Sequence, residues 1–204
     1  MIAIVNYGLG NIRAFTNIYK SLGVPITIAT CSAELARATR LILPGVGAFD
    51  HAMECLEGSG MQGLLCELVL ERRLPVLGVC VGMQILANSS EEGSRPGLGW
   101  IEGVVRKIRF PVASNQDILP HMGWNTVRLA APSPLFENLD AEHLFYFLHS
   151  YYFECAHRDD SVASADYGDS FTCAVHSGNI YGVQFHPEKS HRNGIQLLNN
   201  FADL

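Results

Sequence analysis

One cysteine, Cys80, lies where the sequence predicts a sharp turn between a buried strand and a helix. The apolar run 74–77 predicts a parallel strand, and residues 83–87 predict the opening of a helix. Gly78 and Gly82 stand two residues before and after the cysteine and allow a tight bend. Such a turn presents the nucleophile in α/β-hydrolases, and a helix N-terminus favours thiolate over thiol. Cys80 is therefore a candidate nucleophile, with a buried structural cysteine as the alternative.

A cysteine nucleophile needs a base, and the base needs an orienting group. Among the eight histidines, His186 ends an apolar strand-like run, and Glu188 follows two residues later. Residues two apart in an extended chain point the same way, so Glu188 can accept from one imidazole nitrogen while the other faces Cys80. A surface His-Pro-Glu turn is the alternative. His149 is the second candidate base, although no carboxylate stands near it in the sequence.

Acyl chemistry at a thiolate also needs hydrogen-bond donors that stabilise the negatively charged oxygen formed when the thiolate attacks a carbonyl. The tripeptide 45–47, Gly-Val-Gly, follows a predicted strand, and glycine tolerates the dihedrals that aim backbone N–H groups at a negative charge. The N–H of Val81, directly after Cys80, is a second candidate donor. An ordinary glycine turn is the alternative for 45–47. Neither this segment nor 8–10 has the third glycine of the dinucleotide-binding fingerprint.

The composition argues against several classes of function. The chain has 204 residues, a net charge of -6 and no cluster of Lys and Arg, which argues against nucleic-acid binding. No apolar run is long enough to cross a membrane, and the N-terminus resembles a strand more than a signal peptide. Six scattered cysteines without C-x-x-C suit a reducing cytoplasm better than a disulfide framework or a zinc site. We therefore expect a cytoplasmic protein without a metal or another cofactor.

The elements that must position these residues alternate in the first half of the chain. Strands are predicted at 2–5, 24–29, 41–43 and 74–77, and helices at 11–22, 32–40 and 50–73, the last broken near 58–60. Alternation with continuously apolar strands indicates a parallel sheet that is covered on both faces. Ligands bind beyond the carboxyl ends of such strands. The site is therefore expected in the loops after residues 5, 43, 79 and 185.

The second half changes to short strand-like runs separated by turn residues. These runs are 104–108, 125–129, 144–148, 151–155, 161–165, 172–175 and 180–185, followed by a closing helix at 194–201. They predict antiparallel additions to the main sheet and not a second domain. The expected fold is α/β: a flavodoxin-like open, mainly parallel sheet with helices on both faces, forming a single domain over residues 1–204.

Three segments together resemble the signatures of class I, or triad-type, glutamine amidotransferases, in that family's order and spacing. They are 44–49, 78–84 and 184–190. Segments 6–11, 120–125 and 147–151 narrow the likeness to the glutaminase subunits of imidazole glycerol phosphate synthases. The resemblance covers residues 1–201. It departs mildly at Val81, where leucine is commoner, and little is put in doubt because the backbone of this residue is what matters.

The resemblance implies a mechanism for L-glutamine hydrolysis. Cys80 attacks the γ-carboxamide, and His186 first takes the thiol proton and then protonates the leaving ammonia. Water hydrolyses the resulting glutamyl thioester. The N–H groups of Val46 and Val81 would stabilise the oxyanion. The positions matching those that hold glutamine in the family are Gly47, Gln84, Ser150 and Tyr151.

The resemblance also implies a partner. Ammonia would pass to a separate (β/α)8-barrel cyclase subunit, in a heterodimer that makes imidazole glycerol phosphate and an aminoimidazole carboxamide ribonucleotide for histidine biosynthesis. Asn11, Trp124 and Lys189 match segments that face the cyclase; their alternatives are a helix cap, a core tryptophan and a solvated lysine. Competing interpretations are an amidotransferase subunit for anthranilate, purine or pyridoxal phosphate synthesis, and a non-catalytic, amidotransferase-like regulatory protein.

Overall fold

An eight-stranded sheet forms the centre of the protein, in a computed structural model that describes residues 1–110, 118–140 and 142–204. The first four strands are β1 (Ile2–Val5), β2 (Ile26–Ala29), β3 (Arg40–Gly45) and β4 (Val76–Cys80). They pair in parallel in the order β2-β1-β3-β4. Every residue of β1 and β4 is buried, as expected for strands covered on both faces. The parallel sheet predicted for the first half is therefore present.

Six α-helices accompany the sheet within the described residues. They are α1 (Ile12–Ser21), α2 (Ser32–Leu35), α3 (Phe49–Gly58), α4 (Gln62–Cys66), α5 (Val81–Gln84) and α6 (His191–Asp203). The helix predicted over 32–40 is longer than the observed α2, which ends at Leu35. The backbone N–H of Thr39 donates to the carbonyl of Met1 at 2.9 Å, which draws the chain into β3 beside β1. The helical region predicted over 50–73 is interrupted after Gly58, as expected from its glycines.

The remaining strands form parts of three sheets. They are β5 (Ser89–Ser90), β6 (Gly103–Lys107), β7 (His121–Thr126), β8 (Arg128–Leu129), β9 (Leu144–His149), β10 (Tyr151–Cys155), β11 (Ser161–Tyr167), β12 (Asp169–Ser177) and β13 (Ile180–Val183). The main sheet has the order β2-β1-β3-β4-β13-β12-β11-β8. Strands β5, β6 and β10 form a three-stranded sheet, and β7 pairs antiparallel with β9.

The prediction that the second half only adds antiparallel strands to the main sheet is partly wrong. Strand β13 pairs in parallel with β4, and its four residues are all buried, as an interior position requires. Only β12, β11 and β8 continue the main sheet antiparallel. Strands β7 and β9 alternate between less and more exposed residues, so one face of this ribbon packs inward while the other stays at the surface.

The first and last helices pack against each other and close part of the core. The hydroxyl of Tyr19, on α1, donates to the carbonyl of Leu198, on α6, at 3.0 Å, and both residues are fully buried. The closing helix predicted over 194–201 is present as the longer α6. In the described part of the chain, no helix combines the length and apolarity needed to cross a bilayer.

Candidate active site

Cys80 occupies a strained turn between β4 and α5. Its φ of 55° and ψ of -113° lie in a region that residues other than glycine rarely adopt. Glycines permit the close approach around it: a Cβ on Gly78 would lie 2.6 Å from the carbonyl oxygen of Gly82, and a Cβ on Gly82 would overlap the carbonyl oxygen of Leu43. The sharp turn predicted around Cys80 is therefore present, and it requires these small neighbours.

The helix after this turn is shorter than the sequence predicts. It covers Val81–Gln84, whereas a helix was expected to run through residues 83–87. The carbonyl oxygens of residues 85–87 instead accept hydrogen bonds from the N–H groups of residues 98–100, at 2.8 to 3.0 Å. Because one helical turn aligns few peptide dipoles, α5 gives less support to a thiolate than a long helix would. Side chains around Cys80 must therefore supply more of that support.

His186 and Glu188 form a buried pair beside Cys80. Nδ1 of His186 lies 2.9 Å from Oε1 of Glu188, and each side chain is only 2% exposed. Burial by itself lowers the pKa of His186, but hydrogen bonding to Cys80 and Glu188 outweighs it and raises the pKa to about 10. This environment favours the protonated imidazole, and an imidazolium next to a sulfur is typical of reactive cysteines.

His149, the other candidate base, is committed to a different hydrogen-bond network. Its Nδ1 lies 2.8 Å from the carbonyl oxygen of Tyr151, so Nδ1 carries the proton and Nε2 accepts from Nδ1 of His121 at 3.0 Å. Nε2 of His121 in turn accepts from Asn125 at 3.2 Å. Burial lowers the pKa of His149 to about 3 and that of His121 to about 4. Such low pKa values make both rings weak bases, and both ring nitrogens of His149 are already hydrogen-bonded, so His186 is the better candidate base.

A cavity of about 250 Å³ opens over Cys80 and His186. Its other lining residues are Val46, Gly47, Val81, Gln84, Glu92, Pro120, Leu148, His149, Ser150 and Tyr151. This volume is below the range of roughly 300–1,000 Å³ typical of drug-sized ligands, so the cavity suits a small substrate. Every residue predicted to form the oxyanion hole or to bind glutamine therefore lines the same cavity as Cys80.

The glycine turn at 45–47 forms one wall of this cavity. Gly47 has a φ of 98°, a conformation that favours glycine. The buried hydroxyl of Tyr7 donates to the carbonyl of Pro44 at 2.7 Å and anchors the start of the turn. Val46 is 40% exposed, so its side chain contributes little packing. The role predicted for Val46 rests on its backbone N–H and stays a prediction.

Two polar residues of the site were missed by the sequence analysis. Glu92 lines the cavity, and its Oε2 accepts from the N–H of Phe49, at the start of α3, at 2.9 Å. Gln184 is fully buried and contacts both Gln84 and Cys80. Glu92 follows another glutamate in a loop and resembles a solvated surface residue. The signal that could have revealed Gln184 is an amide inside the apolar run 180–185.

Comparison with known proteins places this site in a family. The family model described as "Glutamine amidotransferase class-I" matches residues 3–204. The chain belongs to that family. Imidazole glycerol phosphate synthase subunit HisH of Bdellovibrio bacteriovorus is 56% identical over 204 residues, 100% of each chain. The protein of the same name from Leptospira interrogans is 52% identical, again over 100% of each chain. These relatives confirm the resemblance that the segments at 120–125 and 147–151 indicated.

Solved structures also show the fold of this amidotransferase. A crystal structure described as a glutamine amidotransferase has a TM-score of 0.73 at 19% sequence identity, covering 100% of this chain and 99% of that chain. At this identity the likeness concerns the fold alone. It confirms the predicted flavodoxin-like α/β class.

Among the described residues of this chain, no group of three or more His, Cys, Asp and Glu side chains could hold a metal ion.

The residues predicted to face a partner of this amidotransferase all lie at its surface. Trp124 is 48% exposed and stacks on His191 with ring centres 5.2 Å apart, so the alternative of a core tryptophan is wrong. Lys189 is exposed, with its Nζ 5.7 Å from the ring centre of Tyr146. Asn11 precedes α1, but its side chain makes no capping hydrogen bond to that helix. The turn that carries Lys189 packs against both α1 and β9.

Acidification is expected to destabilise this amidotransferase through His121 and His149. Their pKa values of about 4 and about 3 lie below the ~6.5 of an unfolded histidine, so the unfolded state binds more protons below that pH. Their contribution to the free energy of unfolding is complete above about pH 6.5. It falls toward about pH 4, by at most about 1.4 kcal/mol per pH unit for each ring. Urea denaturation between about pH 7 and about pH 5 measures this slope.

A matched pair of variants assigns the slope to the buried rings. His121→Phe keeps an aromatic ring between Phe147 and Tyr167, which stack on His121 with ring centres 4.8 and 4.1 Å away, and should flatten the pH dependence. The matched control is His51→Phe, at an exposed histidine on α3, which should show the wild-type slope. An equal slope in wild type and His121→Phe would contradict the assignment.

Proposed function

We propose that this chain is the glutaminase subunit of an imidazole glycerol phosphate synthase, acting as a single domain over residues 1–204. The observation that carries the proposal is that Cys80 and His186 line one small cavity while Glu188 contacts His186 from behind, at 2.9 Å from its Nδ1. The names of its full-length relatives support the choice of pathway. All six cysteines are free thiols, which supports a reducing, cytoplasmic setting.

In the proposed reaction, His186 first holds the proton of the Cys80 thiol, so the sulfur is a thiolate. The sulfur attacks the γ-carboxamide carbon of glutamine, and the N–H groups of Val46 and Val81 hold the oxyanion. His186 then gives its proton to the departing nitrogen, so that ammonia leaves and a glutamyl thioester remains. Water adds to the thioester with His186 as base, which releases glutamate and restores Cys80. Glu188 orients the imidazole and stabilises its charged form throughout.

The polar lining of the cavity supports recognition of an amino acid. Both hydrogens of the Gln84 amide are engaged, with the carbonyl of Tyr151 and with Gln184, each at 3.0 Å, which leaves its Oε1 to accept from the substrate. We assign the α-ammonium group to Glu92, the one carboxylate among the described residues that line the cavity. Ser150 and Gly47 complete the glutamine-binding set.

Glu92→Gln is expected to raise the KM for glutamine by at least about tenfold with a smaller change in kcat. A hydrogen bond to a charged group is worth about 1.5–3 kcal/mol, and the variant retains an oxygen that can accept from Phe49. Steady-state glutamate release measures the effect. Glu91→Gln is the matched control, because Glu91 binds Arg106 and the backbone of Lys107 instead of lining the cavity. Equal KM values for wild type and Glu92→Gln would refute the assignment.

The proposed partner is a (β/α)8-barrel cyclase that receives ammonia from this chain. Trp124 and Lys189 are exposed and both contact Tyr146, and Asn11 is exposed at the start of α1, which supports a docking surface beside the active site. The test mixes the chain with a candidate cyclase, glutamine and the ribonucleotide substrate, then assays glutamate and imidazole glycerol phosphate together. Equal amounts of both products are expected. Glutamate without imidazole glycerol phosphate, or transfer of ammonia to another acceptor such as chorismate, would instead favour a different pathway.

A further inference from the structure

The side-chain amide of Gln184 is fully buried beside Cys80 and has no part in the reaction proposed above. Its Nε2 lies 3.8 Å from Sγ of Cys80, and its Oε1 lies 3.0 Å from Nε2 of Gln84. Gln184 is 0% exposed and follows the apolar strand β13. Burying an amide is unfavourable unless its groups are hydrogen-bonded. The buried position of this amide therefore indicates that the side chain has a specific role.

The hydrogen-bond network fixes which end of the Gln184 amide faces the sulfur. The carbonyl oxygen of Tyr151 only accepts, so the Gln84 atom 3.0 Å from it must be the nitrogen. That same nitrogen lies 3.0 Å from the Gln184 amide, so the Gln184 atom it meets must be the oxygen. The remaining end of Gln184, the N–H donor, is therefore the one next to Cys80. His149 also donates to the Tyr151 carbonyl, which is consistent with that oxygen acting only as an acceptor.

We propose that Gln184 is a further catalytic residue, whose amide N–H donates a hydrogen bond to the sulfur of Cys80 and stabilises the thiolate. The inference rests on the proposed function, in which that sulfur is the nucleophile. A donor is needed at this point because the carbonyl oxygen of Leu148 also lies 3.9 Å from the sulfur and disfavours negative charge. Because α5 is a single helical turn, its dipole gives the thiolate little stabilisation. A hydrogen bond to an ionised group is stronger than one between neutral groups, so a single N–H donor can stabilise the thiolate.

The test uses Gln184→Met, which nearly preserves side-chain volume and removes the N–H donor. The full-length variant is treated with iodoacetamide across a range of pH, and alkylation of Cys80 is followed by peptide mapping. On the acidic side of the pH profile, where the wild-type thiol is only partly ionised, we expect alkylation to slow by about tenfold relative to wild type. The rate at high pH should stay close to wild type, because the thiolate then forms without the donor. A general loosening of the site would not shift the pH midpoint in this way.

Controls separate this inference from the proposed function. Gln196→Met, on the surface of α6, removes an amide that donates to Asn200 at 2.8 Å and should leave the pH profile unchanged. If Gln184→Met fails to fold, the smaller apolar variant Gln184→Leu is measured in the same way. In either folded variant, a wild-type pH midpoint for Cys80 overturns the role of Gln184 alone. An inert Cys80 in the wild type would instead overturn the proposed function.

Discussion

Cys80→Ala is expected to abolish glutamine hydrolysis while the chain remains folded. The proposed thioester needs the sulfur, and loss of a covalent nucleophile typically costs on the order of 10⁴-fold or more in rate. Alanine is smaller than cysteine and differs at this position only by the sulfur, so the turn between Gly78 and Gly82 is kept. Glutamate release by purified protein measures the activity, and circular dichroism measures the fold.

His186→Ala is expected to be as damaging, because in the proposed reaction this side chain takes the thiol proton and gives it to the departing nitrogen, which leaves as ammonia. Glu188→Gln should cost less, since the amide oxygen still accepts from Nδ1, which lies 2.9 Å from Oε1 in the wild type. Cys173→Ala is the matched control: Cys173 is also buried, and burial raises the pKa of its thiol. Wild-type glutaminase rates in Cys80→Ala, or losses as large in Cys173→Ala, would contradict the assigned nucleophile.

The second large effect is expected from the proposed cyclase partner: the chain alone should be a poor glutaminase. Gly45 and Gly47 flank Val46, so the peptide that carries the proposed oxyanion donor can rotate at small cost and point away at rest. A hundredfold activation needs a bias of about 2.7 kcal/mol toward the donor-in state, within the usual range of allosteric coupling. The partner and its ribonucleotide ligand would supply that bias.

The surface near Lys189 is directly connected to the active site. The N–H of Lys189 donates to the carbonyl of His186 at 3.0 Å, and the N–H of His186 donates to the carbonyl of Tyr146 at 2.8 Å. Tyr146 also contacts Trp124 edge to face, with ring centres 6.0 Å apart. A partner that binds this surface therefore touches the backbone segment that carries the candidate base.

Three assays of glutamate release test the gating: the chain alone, with cyclase, and with cyclase plus ribonucleotide. Lys189→Ala should lower the stimulated rate more than the basal rate. Lys20→Ala, an exposed lysine at the far end of α1, is the control and should change neither. Three wild-type rates that agree within about twofold would show that the partner does not gate the site.

Local chemistry explains which parts of this site the sequence could reveal. Buried strands such as β1 and β4 are continuous apolar runs, and the glycines at 78 and 82 mark the turn that presents Cys80. The pairing of His186 with Glu188 was predicted from an extended segment, but that backbone is wrong: Pro187–Lys189 forms a 3-10 turn, which still brings the two side chains to 2.9 Å. The glutamine-binding residues came from family resemblance, since nothing in their individual types indicates a ligand.

The features that the sequence did not reveal depend on contacts between distant segments. Glu92 enters the cavity because it caps α3, whose first residue is 43 positions earlier. The helix after Cys80 stops because residues 98–100 take the carbonyls of residues 85–87. The parallel position of β13 depends on strand order, which the apolar pattern of a single strand does not encode.

Covalent labelling with a glutamine-mimicking electrophile tests the central claim most directly. After limited reaction, peptide mapping by mass spectrometry should find the adduct on Cys80, and excess glutamine should suppress it. Only Cys80 among the six cysteines has the paired imidazole of His186 beside it in the described structure. Equal modification of the exposed Cys31, of Cys55 or of Cys173, or labelling that glutamine does not slow, would contradict a glutamine-specific thiolate at this site.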